Sequence, residues 1–305
     1  MKKAYIIIAH KNPRQLHRLV SRLNDGNSEF FIHIDKKVEL APFKILNDLE
    51  NRVHFLQRFD SKWGSYGTIK PYLNGMKVIQ DSGIKFDRIL LLSGQDYPIK
   101  SNKEIDEFFE NSPHSVFIDY FPIPNHEKWK GKDRGGLYRV DKYYFGTKRH
   151  ELFCSKSLNL ISRFLPFLKR KIPYGMKPYT GQTWFNFDMY ALKYILDFDA
   201  KHPKYLEFHK HTFVADELYL QMIIGNSKDE KLLSSIKNSE KRFTIWEKET
   251  SAHPKILDKN DLEAIMLSDD LFARKFDEDT EILDLIDKEI LFKSNTEKLL
   301  VHMNQ

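Results

Sequence analysis

Two neighbouring carboxylates, Asp216 and Glu217, stand at the entrance to an apolar stretch through Leu218, Met222 and Ile223. A carboxylate placed there can project into a cleft and act as a general base, taking the proton of an attacking hydroxyl. The same pair would equally complement the positive end of a helix, where acidic residues are common. His10, Asp35 and Asp96 each follow an apolar run, and in parallel sheets the residues just past strand C-termini line the ligand crevice. A lone Asp after a strand is also a common turn or cap residue. Neither Gly-x-Gly-x-x-Gly nor Gly-x-x-x-x-Gly-Lys-Ser/Thr occurs, so no dinucleotide or P-loop phosphate cradle is expected. The twelve histidines show no His-Glu-x-x-His, and one cysteine, Cys154, rules out both a disulfide framework and a cysteine-based zinc site.

These residues need a frame. Ala4 to His10 (AYIIIAH) is a continuous apolar run that suits a strand buried on both faces. Pro13 can open a helix, and Leu16, Leu19, Val20 and Leu23 follow at helical spacing. Further strands are expected over Glu29 to Ile34, Val53 to Leu56 and Arg88 to Leu92, with a helix through Leu73, Met76 and Ile79 before the last. Strands alternating with helices predict an α/β fold with a mostly parallel sheet. The stretch from Phe117 to Tyr179 is irregular, aromatic and basic. Beyond it, Thr183 to Leu196 reads as strand then helix, and Arg242 to Trp246 as a strand.

The chain has 305 residues, 41% hydrophobic and 30% charged, which is enough apolar surface to fold and excludes a disordered or low-complexity protein. No run approaches the roughly 20 apolar residues of a membrane span, and Ala4 to Ala9 is too short for a signal-peptide core, so a cytoplasmic location is expected. The net charge is +6, yet Lys142 to Lys177 alone carries nine Lys or Arg against one Glu, leaving the remainder slightly acidic. Nucleic-acid binding, which usually spreads charge along a broad face, is therefore not expected.

Six segments, AHKNPRQLHRL, FFIHIDKK, KWGSYGTIKPYLN, ILLLSGQDYPIKS, VADELYLQMII and LFARKFD, resemble in order the core-2/I-branching family of glycosyltransferases, which includes β-1,6-N-acetylglucosaminyltransferases and xylosyltransferases. The resemblance implies a GT-A type fold with a Rossmann-like, mostly parallel central sheet. It also implies a nucleotide-sugar donor and an inverting transfer without a divalent metal. A single domain over 1–305 is expected, with a nucleotide-binding half at about 1–115 and an acceptor and catalytic half at about 116–305. UDP-N-acetylglucosamine is the first donor expected. The alternatives are xylosyl or glucuronosyl transfer, or a non-catalytic nucleotide-sugar or glycan-binding protein.

The resemblance assigns the base to Glu217, with Asp216 as the structural member of the pair. It places Lys255 and Lys275 on the leaving diphosphate, where permanent cations would supply the charge that a metal gives elsewhere. Arg274 reads as a surface or second-rank charge. His10, Asp35, Arg58, Trp63, Gly64 and Asp96 are expected on the nucleotide side, and Asp119, Arg139, Gln182, Trp184 and Trp246 on the sugar and acceptor side. Metal-dependent enzymes of this fold present Asp-x-Asp after the fourth strand, where this chain reads Ser93-Gly94-Gln95-Asp96. The literal strings at Asp197 to Asp199 and Asp277 to Asp279 follow no such strand and read as surface charge.

Residues 155–171 combine a broad apolar helical face with Lys156, Arg163, Lys169, Arg170 and Lys171 and no acid. Two readings stand. A basic amphipathic helix can lie in a membrane interface, giving peripheral contact at the inner face of the plasma membrane and access to a lipid-linked acceptor of surface polysaccharide synthesis. Alternatively it is an ordinary packed helix with a solvated basic face, kinked at Pro166.

Overall fold

The first apolar run forms a strand at the middle of a sheet, as its β-branched content requires. In the computed structural model, which describes residues 1–292 apart from 130, 249, 250, 252 and 279, that strand is β1 (Lys3–Ala9). Residues 293–305 of the expected domain and Asp279 of the second Asp-x-Asp string lie outside the described residues. β2 (Glu29–Ile34), β3 (Val53–Phe55) and β4 (Arg88–Ser93) join β1 in the parallel order β3-β2-β1-β4. A two-residue β5 (Tyr97–Pro98) follows. The second half adds β6 (Val116–Ile118), β7 (Phe121–Pro122), β8 (Tyr179–Thr180), β9 (Phe185–Phe187), β10 (Ile236–Lys237), β11 (Arg242–Phe243) and β12 (Phe272–Ala273). The main sheet runs β10-β6-β9-β4-β1-β2-β3, and only β9 runs against the rest. This is the expected α/β architecture with a mostly parallel sheet.

Helices cover both faces. Among them are α1 (Pro13–Leu23), α2 (Ile69–Asp81), α3 (Asn102–Asn111), α4 (Tyr138–Asp141), α5 (Arg149–Phe164), α6 (Met189–Lys201), α7 (Pro203–His209) and α8 (Tyr219–Gly225). Alternate residues of β1 feed opposite layers, as the pleat dictates. Ala4 and Ile6 pack with Tyr72, Met76 and Ile79 of α2 and with Leu192, Ile195, Met222 and Ile223 of α6 and α8. Tyr5, Ile7 and Ala9 pack with Leu16, Leu19 and Leu23 of α1, Ile105 and Phe109 of α3, and Ile282 and Ile286 near the end. Ser101 and Glu104 form a capping box that fixes the start of α3.

Two expected elements change shape. The strand predicted for Arg242 to Trp246 stops at Phe243, because β12 offers only two residues to pair with and the Ile245 carbonyl accepts from the Lys255 amide instead. The basic helix starts at Arg149 and ends at Phe164 rather than running kinked through 171. Pro166 forces Leu165 into an extended conformation, and Pro166–Leu168 forms a separate turn.

Candidate active site

Glu217 reaches its position through a strained turn. Val214 has φ 52°, in the left-handed region that a β-branched residue rarely adopts, and its amide donates to the Gly64 carbonyl at 3.0 Å. Ala215–Glu217 form a short 3-10 turn, Leu218 breaks the path, and α8 begins only at Tyr219 with no acidic residue in its first turn. The pair therefore lies in the turn before α8 rather than in the first turn of that helix.

The Glu217 carboxylate faces Arg139 of α4. Its Oε2 accepts from Arg139 Nη1 at 2.6 Å, and 29% of the side chain is exposed. Thr180 Oγ1 donates to the Glu217 carbonyl at 2.9 Å and accepts from Arg139 Nη1 at 3.3 Å, so one hydroxyl registers both groups. The Gly181 amide also donates to that carbonyl, at 3.0 Å. Burial raises the Glu217 pKa and Arg139 opposes it, while Asp216 and Asp119 push it further up. Among the described residues no donor reaches Oε1, which leaves that oxygen for a hydroxyl. Asp216 is turned inward: Oδ2 accepts from Thr183 Oγ1 at 2.9 Å, Oδ1 is buried without a partner, and desolvation raises the carboxyl pKa.

The loop before β9 brings Asp119 and Gln182 beside this pair. The Gln182 amide donates to Asp119 Oδ2 at 3.2 Å, and the Gln182 carbonyl accepts from Gln221 Nε2 at 2.6 Å. Gly181 makes the approach possible, since a Cβ there would lie 1.9 Å from the Asp119 carbonyl oxygen. Asp119, Arg139, Gln182 and Glu217 are thus gathered together from segments far apart in the chain.

The nucleotide side is more mixed. His10 follows β1, and desolvation lowers its pKa, aided by the charges of Lys11, Lys275 and Lys37 against Asp35. Trp63 is half exposed and sits edge-on to both Phe213, at 5.8 Å, and His253, at 5.9 Å. Gly64 has φ +74°, and a Cβ there would lie 3.1 Å from the Phe213 ring; its carbonyl accepts from Val214, so this loop meets the Glu217 turn. Lys275 forms no ion pair among the described residues, and burial, Lys11 and Arg274 lower its pKa. Its carbonyl accepts from Leu257, which places it alongside the Lys255 segment.

Five expected positions are engaged by partners within the protein itself. Lys255 Nζ donates to both Asp261 oxygens at 2.8 Å, so its ammonium is bound within a local turn rather than left free over the cleft. Arg58 donates to the carbonyls of Ile34, Asp35 and Val38 and ties the end of β2 to its loop. Asp35 is buried and accepts from the Lys37 amide at 2.9 Å and the Ser61 amide at 3.0 Å, which shapes that same loop. Asp96 is wholly buried: it accepts from the Ser93 amide and lies 3.4 Å from Arg242 and 3.3 Å from Arg274. Trp184 is turned inward between these guanidinium groups, 4.9 Å from Arg242 and 4.2 Å from Arg274. Trp246, by contrast, is exposed and offers an open ring.

Arg274 is consequently not a surface charge. Sequence reasoning also passed over Thr180, Arg242 and Glu240. Burial pushes the Glu240 carboxyl up to about 8 against the pull of Arg242 and Arg274, with Asp119 and Asp96 adding to the rise, and its Oε2 has no partner. The one available signal was a Glu-Lys-Arg run leading into a strand, where long charges must find buried partners. Among the described residues no three His, Cys, Asp or Glu side chains converge as a metal would require.

The Glu217 carboxylate, with one oxygen held by Arg139, and the Lys275 ammonium, without an ion pair among the described residues, are candidate parts of a group-transfer site. The family described as Core-2/I-Branching enzyme matches residues 3–268, and this chain belongs to it. It is a glycosyltransferase family. The chain is 23% identical over 305 residues to Beta-glucuronosyltransferase GlcAT14B of Arabidopsis thaliana, covering 96% of this chain and 67% of that protein. It is 23% identical to GlcAT14A of the same plant, covering 91% and 61%, and 25% identical to mouse Xylosyltransferase 2, covering 80% and 26%. The chain thus spans about two thirds or less of these relatives. A solved 4-diphosphocytidyl-2C-methyl-D-erythritol synthase from Anaerococcus prevotii aligns with 67% of this chain and 75% of its own at 16% identity, with a TM-score of 0.33, too low to carry an argument.

Proposed function

We propose that the chain transfers a sugar from a UDP-sugar to a hydroxyl of a saccharide acceptor with inversion at C1 and without a divalent metal. Glu217 takes the acceptor proton on Oε1 as the oxygen attacks C1. The C1–O bond to the diphosphate breaks on the opposite face, and UDP departs with the bonding pair. Diphosphate is a good enough leaving group to need no proton donor, unlike the sugar alkoxide expelled in glycoside hydrolysis. It needs positive charge, and Lys275 carries that role, with His10, His253 and Trp63 forming the wall around it. Lys255, held by Asp261, anchors the segment that hydrogen-bonds to the Lys275 backbone. Two arginines already neutralise the carboxylate after β4, which favours fixed side-chain charge in place of a bound ion. The observation that carries this reading is the Glu217 carboxylate with one oxygen fixed by Arg139 and the other open.

UDP-N-acetylglucosamine follows from the branching members that the sequence resembles, and UDP-glucuronate and UDP-xylose from the names of the relatives. The acceptor fits a lipid-linked saccharide of surface polysaccharide synthesis, reached from the cytoplasm. The test is turnover with each of the three donors, with and without EDTA, for the wild type and Glu217→Gln. We expect activity with one donor, insensitivity to EDTA, and loss of turnover in Glu217→Gln with UDP binding retained. Turnover surviving in Glu217→Gln would remove the base. A requirement for Mn²⁺ would remove the account of the leaving group, and UDP-sugar binding without transfer or hydrolysis would make the chain a binding protein.

A further inference from the structure

α5 is attached to the body by its polar side. Ser155, its one buried residue, accepts from the Phe145 amide at 3.0 Å. Asn159 brackets Tyr143, accepting from its amide and donating to its carbonyl, both at 2.8 Å. Glu151 pairs with Lys62 at 2.9 Å. A helix on a water-soluble surface ordinarily does the reverse and turns its apolar stripe inward. Here Phe153, Leu160 and Phe164, spaced seven and four residues apart, share one outward stripe that continues into Phe167. They are 70%, 53%, 77% and 76% exposed. An apolar patch of this kind marks an interaction surface.

The charge around the stripe identifies what covers it. Arg149, Lys156 and Arg163 lie on the helix and Lys169 and Lys171 just beyond it, and no Asp or Glu occurs from Leu152 to Lys171. A second copy of this chain, meeting it across a two-fold axis, would set these like charges against each other. An anionic surface with an apolar interior satisfies both features at once.

We propose that α5 and the following turn dock on an anionic lipid bilayer, with Phe153, Phe164 and Phe167 in the boundary between headgroups and acyl chains and the basic rim on lipid phosphates. The docking stands on this surface alone; its use rests on the glycosyltransferase reading. Glu151 grips Lys62, next to Trp63, and Tyr144 packs on Phe213 at 5.0 Å, just before the Glu217 turn. Docking therefore holds the cleft next to the lipid surface, where a lipid-anchored saccharide presents its hydroxyl.

The test is flotation of the intact chain, without substrate, on vesicles of equal parts phosphatidylglycerol and phosphatidylcholine and on phosphatidylcholine alone. We expect the wild type to float with the anionic vesicles, about tenfold less with neutral ones and less at high salt. The triple variant Phe153→Ser, Phe164→Ser, Phe167→Ser should lose about tenfold of this binding. Because the three rings are exposed, its circular dichroism and its turnover on a water-soluble acceptor should not change. Lys156→Glu with Arg163→Glu should weaken binding to anionic vesicles alone. A wild type that stays in solution, or a triple variant that floats as well as the wild type, overturns the proposal. So does a dimer abolished by the triple variant without vesicle binding, which would assign the patch to a second copy. With no sugar donor in the flotation assay, none of the flotation results bears on Glu217.

Discussion

With Glu217 as the proposed base, Arg139 is the group placed to set its working range. Burial lifts the carboxyl above the ordinary glutamate range, and the guanidinium 2.6 Å away pulls it back. Only the ionised base can accept a proton, so activity should fall on acidification at a pH above the usual carboxylate value of about 4.3. Removing the cation in Arg139→Gln should move the acid limb of kcat/KM to higher pH, while Arg139→Lys should leave it near the wild-type position. An unmoved limb in Arg139→Gln would show that the pair does not tune the base. His33 works in the other direction, through stability. It is buried, accepts from the Phe59 amide at 2.9 Å and has its pKa lowered to about 4, chiefly by burial. Between pH 6.5 and 4 the unfolded chain binds this proton and the folded chain does not, so acidification through that window destabilises the fold by up to about 3 kcal/mol. Urea midpoints should fall less steeply over this window in His33→Gln. Glu217 was visible in the sequence as half of an acidic pair. Its partner lies 78 positions away, and nothing local marks that pairing.

The loop elements hold charge in the interior, where their residue types alone would place it outside. Asp96 in the turn after β4 is the sole carboxylate within 4 Å of the guanidinium groups of Arg242 and Arg274 among the described residues. Asp96→Asn keeps the shape but leaves two cations uncompensated, and should cost on the order of 3 kcal/mol in chemical denaturation. An unchanged midpoint would mean that Glu240 compensates. Gly181→Ala would force Asp119 and the 181–183 loop apart, so a loss of activity larger than the loss of stability is expected there. The regular elements were legible: β1, β2, β4, α1 and α2 follow from apolar period and helix-start signals, because each buries a face that local sequence spells out. The loops were less so. Arg58, Asp35 and Lys255 sit where ligand-binding residues are common, yet their charged groups are satisfied by backbone amides, carbonyls or a nearby carboxylate that the sequence does not reveal.

Across the whole molecule, the two halves expected from sequence share the main sheet, with β6, β9 and β10 continuing β4, and in a second sheet β12 pairs with β5 and β11 with β12. Asp287, near the end of the described chain, accepts from Arg18 and Arg22 of α1 and from Tyr97 of β5. Neither half closes its core alone, so one cooperative calorimetric transition is expected; two separate transitions would divide the chain into domains. The strand and helix order, the likeness to the branching family, the acidic pair and the basic centre were determined by sequence alone, because period, turn chemistry and composition are local properties. Only the tertiary structure decided that Arg139 meets Glu217, that Asp96 and Trp184 face inward, that Lys255 is occupied and that α5 shows its aromatic side to solvent. Those outcomes depend on which distant groups desolvate one another, and desolvation is set by packing.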